Sequence, residues 1–195
     1  MWDERYSVEE YIYGETPNDF LLEMSDRLKK VNVLCLAEGE GRNAVYLARQ
    51  GFAVTAVDSS GVGLAKAEKL AMESGVSIQT VLADLADYTI EAGAWDSIVS
   101  IFCHLQRDLR KRVHKDVVAG LKDGGTFLLE AYTPKQLEFT SGGPRSETYL
   151  MELGDLREEL DGLEFLHGRE LVRDVIEGVK HTGKGSVVQL LARKN

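Results

Sequence analysis

The sequence is poor in the residues and segments on which secreted, metal-binding and membrane proteins depend. Only two cysteines occur among its 195 residues, Cys35 and Cys103, and neither belongs to a CxxC motif or a Cys/His ligand spacing. Neither a disulfide framework nor a metal site is therefore expected. No run reaches the roughly 18 apolar residues that a membrane-spanning helix needs. The first thirty residues resemble neither a signal nor a transit peptide, so we expect a cytoplasmic protein.

The chain also lacks an excess of positive charge. It carries 23 Lys and Arg against 32 Asp and Glu, a formal net charge of −9, which repels polyanions. The exception is QRDLRKRVHK at 106–115, whose cations recur at helical spacing opposite apolar residues, a pattern typical of a solvated helix face. Neither nucleic acid nor a membrane is expected as a partner, and nothing indicates the oligomeric state.

What the sequence does contain is an alternation of short apolar runs and longer helical segments. Five β-strands are predicted, at 32–37, 53–57, 78–82, 97–102 and 126–132. Three helices are predicted between them, at 43–50, 63–74 and 107–121. Because the strands are apolar throughout, they indicate a mostly parallel sheet with helices on both faces. The predicted class is α/β, a three-layer Rossmann-like fold in a single domain over 1–195.

Both ends of the chain depart from this alternation. Strands are predicted at 164–175 and 186–192, and the polar, glycine-rich segment between them is too short for a crossover helix. The two strands should therefore form an antiparallel hairpin, which brings the sheet to about seven strands. Residues 1–30 are predicted as a loop followed by a helix from about Asn18, and this segment could act as a lid.

The segment VLCLAEGEGRNAVYLA at 33–48 takes a buried strand through a glycine turn into a helix. Such junctions bind ligands at the carboxyl edge of open α/β sheets. Gly39 and Gly41 lack a Cβ, so the backbone can adopt positive φ and a ligand can approach it closely. The helix start offers free N–H groups to a ligand, with Arg42 expected as a surface residue of the first turn.

Two aspartates follow neighbouring strands at the same edge of the predicted sheet. Asp58 lies nineteen residues after Gly39, a spacing that fits a carboxylate holding the two hydroxyls of a ribose. The alternative for Asp58 is a helix N-cap, a role that Ser59 or Ser60 could fill equally well. Asp84 ends the third strand, where its carboxylate could accept a hydrogen bond from an adenine amino group.

These motifs, in order, resemble those of class I S-adenosylmethionine-dependent methyltransferases over roughly 31–135. The matching runs are LAEGEGRNAVYLA, VTAVDSS, ADL, DSIVSIF and LKDGGTFLLEAY. The opening WDERY and YGETPNDFL are similar to the tellurite-resistance and thiopurine methyltransferase branch. The resemblance implies S-adenosylmethionine as the cofactor and methyl transfer to a small molecule by direct displacement.

The resemblance also implies roles for the matching residues. The turn around Glu38, Gly39 and Gly41 would lie against the methionine part of the cofactor. Asp58 would hold the ribose, and Asp84 with Leu85 would border the adenine. Phe102 would line the floor beside the methyl group. Asn43 and Ser59 complete the expected cofactor-binding set. One departure is Ala37, which stands at the first small residue of the usual glycine turn.

Two alternatives stay open. GEGRNA is also a GxGxxA string, and Asp58 stands where the ribose of a nicotinamide dinucleotide would require it, as in an NAD(P)-dependent oxidoreductase. The lack of a YxxxK pair and of a second domain, together with Asp84 and the hairpin, favours the methyl donor. A non-catalytic binding protein is the other alternative, because methyl transfer from a sulfonium needs alignment rather than a catalytic dyad.

Three residues are candidates for contact with the methyl acceptor. His104 follows the fourth strand at the ligand edge, whereas the adjacent Cys103 points the other way and is expected to pack. Tyr11 precedes the first helix, where an aromatic ring could attract a sulfonium cation. Arg145, in the loop at 140–150, could attract an anionic acceptor. No residue selects among thiols, tellurium or selenium species and other metabolites.

Overall fold

One mixed sheet of seven strands runs through the computed structural model, which describes residues 2–178 and 181–195. In chain order these described strands are β1 (Asn32–Leu36), β2 (Ala53–Asp58), β3 (Gln79–Leu82), β4 (Trp95–Ile101), β5 (Leu121–Tyr132), β6 (Leu163–Glu177) and β7 (His181–Lys194). They lie in the order β3-β2-β1-β4-β5-β7-β6. Strands β1 to β5 pair in parallel, and β7 is antiparallel to both β5 and β6. The predicted sheet with its C-terminal antiparallel hairpin is confirmed.

Helices cover both faces of this sheet. They are α1 (Trp2–Tyr6), α2 (Asp19–Met24), α3 (Arg42–Arg49), α4 (Gly61–Glu73), α5 (Arg107–Gly120) and α6 (Leu153–Glu159). Because side chains alternate along a strand, Leu34 and Leu36 pack in one core with α5 and α6. Val33 and Cys35 pack in the other core with α2 and α3. The predicted three layers are therefore confirmed.

Three features of the fold differ from the sequence prediction. Strand β7 starts at His181 rather than at residue 186, because the hairpin pairing continues through most of the polar segment that was predicted to connect the two strands. Strand β5 starts at Leu121, directly after α5, rather than at residue 126. The chain can turn there because Gly120 lies against Ile90, whose Cγ2 would be only 2.5 Å from a Cβ at position 120. Residues Trp2–Tyr6 form α1, where a loop was predicted. A helix of five residues is too short to show helical periodicity in the sequence.

A buried ion-pair network joins α5 to α6, so Arg110 and His114 do not belong to the solvated helix face expected of residues 106–115. Arg110 is fully buried, and its guanidinium donates to both carboxylate oxygens of Glu159 at 2.6–3.2 Å and to the Leu150 carbonyl at 2.8 Å. His114 Nδ1 lies 2.7 Å from Oε2 of the same carboxylate. Burial acts to raise the pKa of Glu159, but the hydrogen bonds from His114 and Arg110 outweigh it and lower the pKa to about 2.

No helix in the described part of the chain is long and apolar enough to span a membrane. Residues 2–178 and 181–195 likewise contain no group of three or more His, Cys, Asp or Glu side chains placed to hold a metal ion.

Candidate functional site

A cavity of about 1000 Å³ opens at the carboxyl edge of the sheet, beside the ends of β1 and β4. Four segments contribute to its lining: residues 2–14, the turn at 37–43, residues 101–104 after β4, and the loop at 142–144. We refer to residues 2–16 as the N-terminal strap. The cavity lies at the edge where the sequence predicted a ligand site, and the strap forms one wall.

The glycine turn after β1 brings the backbone into two close contacts. Gly39 and Gly41 have φ values of +61° and +88°. A Cβ at Gly41 would lie 2.7 Å from the Cα of Ala67, so this glycine allows α4 to pack against the turn. A Cβ at Gly39 would lie 2.6 Å from the hydroxyl of Tyr6 in the strap. The positive φ expected of both glycines is confirmed, but protein atoms fill the space beside them.

Ala37 adopts the left-handed conformation that usually requires glycine. Its φ is +49°, and it lines the cavity directly after β1. An L-residue in this region costs about 1–2 kcal/mol per residue because Cβ crowds the following carbonyl oxygen. The departure from the usual glycine turn is therefore a point of backbone strain.

Replacing Ala37 with glycine is expected to raise the free energy of unfolding by about 0.5–1 kcal/mol. Relief of about 1–2 kcal/mol of left-handed strain exceeds the roughly 0.5–1 kcal/mol that glycine adds to the entropy of the unfolded chain. Urea denaturation at constant m-value measures the change. Ala48→Gly, in the helical α3, is the control and should destabilise. An Ala37→Gly variant that loses as much stability as Ala48→Gly contradicts the assignment of strain.

Glu38 occupies the start of α3. Its Oε1 accepts hydrogen bonds from the N–H groups of Asn43 at 3.0 Å and Ala44 at 2.7 Å. The free N–H groups predicted at this helix start are therefore partly engaged by the protein itself, which corrects the sequence expectation. Burial raises the pKa of Glu38 to about 7, against the lowering effect of these two bonds and of Arg42.

Asp58, at the end of β2, is hydrogen-bonded to the glycine turn. Its Oδ2 accepts from the Gly39 N–H and its Oδ1 from the Ser60 N–H, both at 2.8 Å. The carboxylate is largely buried, and burial raises its pKa. The N-cap of α4 is Ser60, whose hydroxyl accepts from Gly63 N–H, while Ser59 is exposed. The N-cap alternative for Asp58 is therefore wrong.

Tyr6 lies across both the glycine turn and the start of α4. Besides its contact at Gly39, its ring would be 3.0 Å from a Cβ at Gly63. Burial and the nearby Asp58 carboxylate raise the pKa of the Tyr6 phenol. Asp3 fixes the same helix, since its Oδ1 accepts from the Ser60 hydroxyl at 2.5 Å. The strap thus covers the turn and the end of β2 with its own side chains.

The two predicted aspartates are neighbours at the edge. The Ala83 N–H donates to the Asp58 carbonyl at 3.0 Å, which brings the ends of β2 and β3 together. Asp84 is exposed and its Oδ1 accepts from the Ala86 N–H at 2.8 Å, whereas Leu85 is buried. Asp84 is therefore available to solvent, whereas Leu85 packs in the core, and neither residue is among those that line the cavity.

Phe102 and His104 line the cavity at the end of β4. Phe102 has a φ of +52°, which is uncommon for a non-glycine residue and recurs at functional sites. Its ring centroid lies 4.7 Å from that of Tyr132. The Tyr132 N–H donates to Nε2 of His104 at 3.0 Å, so this nitrogen carries no proton and the imidazole is neutral. His104 is therefore not poised to abstract a proton through Nε2.

The remaining acceptor candidates have other contacts. Cys103 is buried in the core, where burial and Asp58 raise the pKa of its thiol to about 12, so it packs as predicted. The Tyr11 hydroxyl donates to the Lys66 carbonyl at 3.2 Å, and its ring lies 4.9 Å from the Lys66 ammonium. Arg145 is exposed and donates to the Phe139 carbonyl at 2.9 Å within its own loop.

Sequence reasoning missed two charged residues of the site. Arg42, expected on the surface, is buried and paired with Glu177 of the hairpin while lining the cavity. Glu40 is buried 2.6 Å from the Lys66 ammonium, and its Oε2 accepts from the Tyr13 N–H at 3.3 Å. Charged residues in the glycine segment were the available signal, but their partners lie far away in the chain.

One family model and several solved structures resemble this chain. Residues 33–125 match a family model described as a methyltransferase domain. No curated protein sequence matches significantly. TehB from Haemophilus influenzae has 22% identity and a TM-score of 0.76, with 100% of this chain and 66% of TehB covered.

Two further solved structures share the whole length of this chain. One is an S-adenosylmethionine-dependent methyltransferase from Clostridium acetobutylicum ATCC 824, at 18% identity and a TM-score of 0.67, with 100% of this chain and 96% of that chain covered. The other comes from a study of the conversion of a disulfide bond into a thioacetal group during echinomycin biosynthesis. It has 17% identity and a TM-score of 0.80, with 100% of this chain and 92% of that chain covered. At these identities the likeness concerns the fold.

Proposed function

We propose that this chain, which carries a methyltransferase domain over residues 33–125 on a class I methyltransferase fold, transfers a methyl group from S-adenosylmethionine to a small-molecule acceptor. The observation that carries the proposal is the cavity at the carboxyl edge of this sheet, bordered by the glycine turn. We further propose that residues 1–195 act as one domain.

The cavity supports binding of such a cofactor. Ligand pockets usually measure roughly 300–1,000 Å³, so about 1000 Å³ can accommodate a cofactor together with a small acceptor. Of the residues that we assign to the cofactor, Glu38, Asn43 and Phe102 line the cavity, whereas Asp58 and Asp84 stand at the neighbouring ends of β2 and β3 without lining it. The residues we assign to the cofactor are Glu38, Gly39, Gly41, Asn43, Asp58, Ser59, Asp84, Leu85 and Phe102.

The cofactor supplies an electrophilic methyl group on a sulfonium sulfur. The protein then has to orient the acceptor and exclude water, effects that together contribute as much as about 7–11 kcal/mol. Phe102 offers an apolar floor for this purpose, and the neutral His104 beside it is our first candidate for contact with the acceptor. No proton-abstracting side chain is assigned.

The strap serves as the lid in this proposal. Tyr6 covers Gly39 in the structure, so a ligand reaches the turn only when the strap moves or when Tyr6 turns aside. Closing the strap again would shield the cavity from water. Tyr11 contributes by anchoring the strap to α4 through Lys66.

For the acceptor, the similarity of WDERY and YGETPNDFL to the tellurite-resistance and thiopurine methyltransferase branch makes thiols and tellurium or selenium species the first compounds to test. Arg145 favours an anionic acceptor only if its loop turns toward the cavity, because its guanidinium now bonds to Phe139. The proposed setting of the reaction is the cytoplasm.

Thermal unfolding with four ligands in parallel tests the proposed cofactor. S-adenosylhomocysteine and S-adenosylmethionine are each expected to raise the midpoint, since a ligand at a hundred times its Kd stabilises the folded state by about 2.7 kcal/mol. NADH and NADPH are the controls and should have no effect. A shift with NADH alone would establish the oxidoreductase instead, and a shift with none of the four would refute cofactor binding. Turnover of a thiol and oxyanion panel then separates an enzyme from a silent binder.

A further inference from the structure

The β6–β7 hairpin extends beyond the carboxyl edge of the sheet. Strand β5 ends at Tyr132, which pairs with Val187, whereas β6 and β7 continue to pair from Val172 opposite Ser186 to the turn. We call residues 172–178 and 181–186 the hairpin overhang. Beyond Tyr132 its two strands pair with each other, and separate hydrogen bonds join β7 to the segment after β5, from the Thr133 N–H to the Ser186 carbonyl at 3.0 Å and from the Ser141 hydroxyl to the Lys184 carbonyl at 2.7 Å. Strand pairing within the sheet therefore does not explain the length of the overhang.

The tip of the overhang touches the backbone of the strap. A Cβ at Gly178 would lie 2.6 Å from both the Gly14 nitrogen and the Tyr13 carbonyl carbon, closer than real Cβ atoms come. Gly178 and Gly14 have φ values of +65° and +75°. The strap residues at this contact, Ile12 to Gly14, line the cavity. The overhang therefore supports the cavity wall from outside.

Four charged side chains and one asparagine hold the overhang in place. Arg42 at the start of α3 pairs with Glu177, and Arg173 lies 2.9 Å from Glu177 and 2.7 Å from Glu130 of β5. Asn18 donates to both carboxylates at 2.8 Å. Arg42 and Arg173 meet the carboxylates of Glu130 and Glu177, and these four side chains are only 0% to 12% exposed. The exposed Asp19 carboxylate also lies 3.3 Å from Arg173, at the edge of this buried cluster.

This network joins the overhang to the elements that shape the cavity. Arg42 and Asn43 line the cavity, and Asn43 Oδ1 accepts from the Asn18 N–H at 2.9 Å, just beyond the strap. Apolar side chains of similar volume would hold a hairpin as firmly as buried ion pairs do. In the best-attested cases, a buried ion pair instead fixes one register between the elements that it joins. The register here is that of the hairpin tip against the strap.

We propose that the overhang is a latch that holds the strap closed over the cavity, with Arg42 and Glu177 as the positioning residues that set it. The part of this proposal in which the closed strap retains a ligand depends on the proposed function. When the ion pair or the Gly178 contact is removed, the strap loses its outer support and residues 12–14 open to water.

Two kinds of variant distinguish loss of the latch from a general loss of stability. Gly178→Ala displaces the tip without altering a charge, and the double variant Arg42→Met/Glu177→Met removes both members of the ion pair together. The control is Glu164→Gln/Arg193→Met, which removes an ion pair at the opposite end of the same hairpin whose side chains are each 47% exposed. Amide hydrogen exchange is measured without ligand at Tyr13 and Gly14, whose N–H groups donate to Glu40 Oε2 and to the Tyr11 carbonyl. The Kd for S-adenosylhomocysteine is measured by calorimetry.

Both latch variants are expected to speed exchange in the strap at least tenfold and to weaken S-adenosylhomocysteine tenfold or more, with the control unchanged. Unchanged strap exchange, or acceleration that is equal in β1 and β4, overturns the latch. Faster exchange with an unchanged or a lower Kd overturns its role in retaining the ligand, since a strap that only blocked the glycine turn would let the ligand bind more tightly once opened. A wild-type protein that does not bind S-adenosylhomocysteine refutes the proposed function instead, and strap exchange still decides the latch.

Discussion

Replacing Glu159 with alanine is expected to lower the free energy of unfolding by about 3–5 kcal/mol. The substitution leaves the fully buried Arg110 with only the partly exposed Asp155 carboxylate, 3.6 Å away, and a buried charge that loses its close partner is among the most destabilising changes in a protein. Arg110 also holds the Leu150 carbonyl, so its displacement loosens the chain between β5 and α6. Urea or thermal denaturation followed by circular dichroism measures the loss.

Removing both charges distinguishes the cost of leaving a buried charge unpaired from the cost of losing side-chain packing. Arg110→Met/Glu159→Met should regain much of the stability lost in the single variant, because no ion is then left unpaired. Glu73→Gln, in an exposed pair with Lys69, is the control and should change stability by less than about 0.5 kcal/mol. A Glu159→Ala protein as stable as the Glu73→Gln protein would show that the network contributes nothing.

The same substitution has a pH signature. The pKa of Glu159 is about 2 in the folded protein and ordinarily 4.5, so its stabilising contribution is full above about pH 4.5 and disappears as the pH falls toward 2. The stability difference between wild type and Glu159→Ala should therefore shrink across this window. A difference that is independent of pH would contradict the charged role of Glu159.

The central features of the fold follow from local sequence patterns. The apolar runs at 32–37 and 53–57 predict buried parallel strands because a strand covered on both faces needs apolar residues at every position. GEG predicts the turn because Gly39 and Gly41 both need positive φ. The positions of Asp58 and Asp84 follow from the ends of their strands, since parallel strands present their carboxyl ends at one edge.

The features of the site that the sequence does not predict depend on contacts between residues that are far apart in the chain. Nothing near Arg42 in the sequence indicates Glu177, because 135 positions separate them and only the antiparallel hairpin brings them together. Tyr6 could not be placed against Gly39 because α1 is too short to show periodicity and its position depends on Asp3 at the start of α4. Sequence patterns predict single elements well, whereas closure of the cavity arises from how the two ends of the chain meet.

Replacing Asp58 with alanine is expected to weaken binding of S-adenosylmethionine tenfold or more. Hydrogen bonds to a charged acceptor contribute about 1.5–3 kcal/mol, which corresponds to a factor of at least ten in Kd. The effect has two sources in this site. The carboxylate is our proposed partner of the ribose, and it also accepts from the Gly39 N–H and so orders the turn that would face the methionine part. Isothermal titration calorimetry measures the Kd.

Asp58→Asn distinguishes these two sources, since an amide keeps one acceptor oxygen for the turn but loses the negative charge. If the charge holds the ribose, the asparagine variant should bind nearly as weakly as the alanine variant while unfolding closer to the wild-type temperature. Asp161→Ala, an exposed residue after α6, makes the same change in net charge and should leave the Kd unchanged. Affinity that is equal in wild type and Asp58→Ala would remove Asp58 from the cofactor site and leave its bonds to Gly39 and Ser60 as its role.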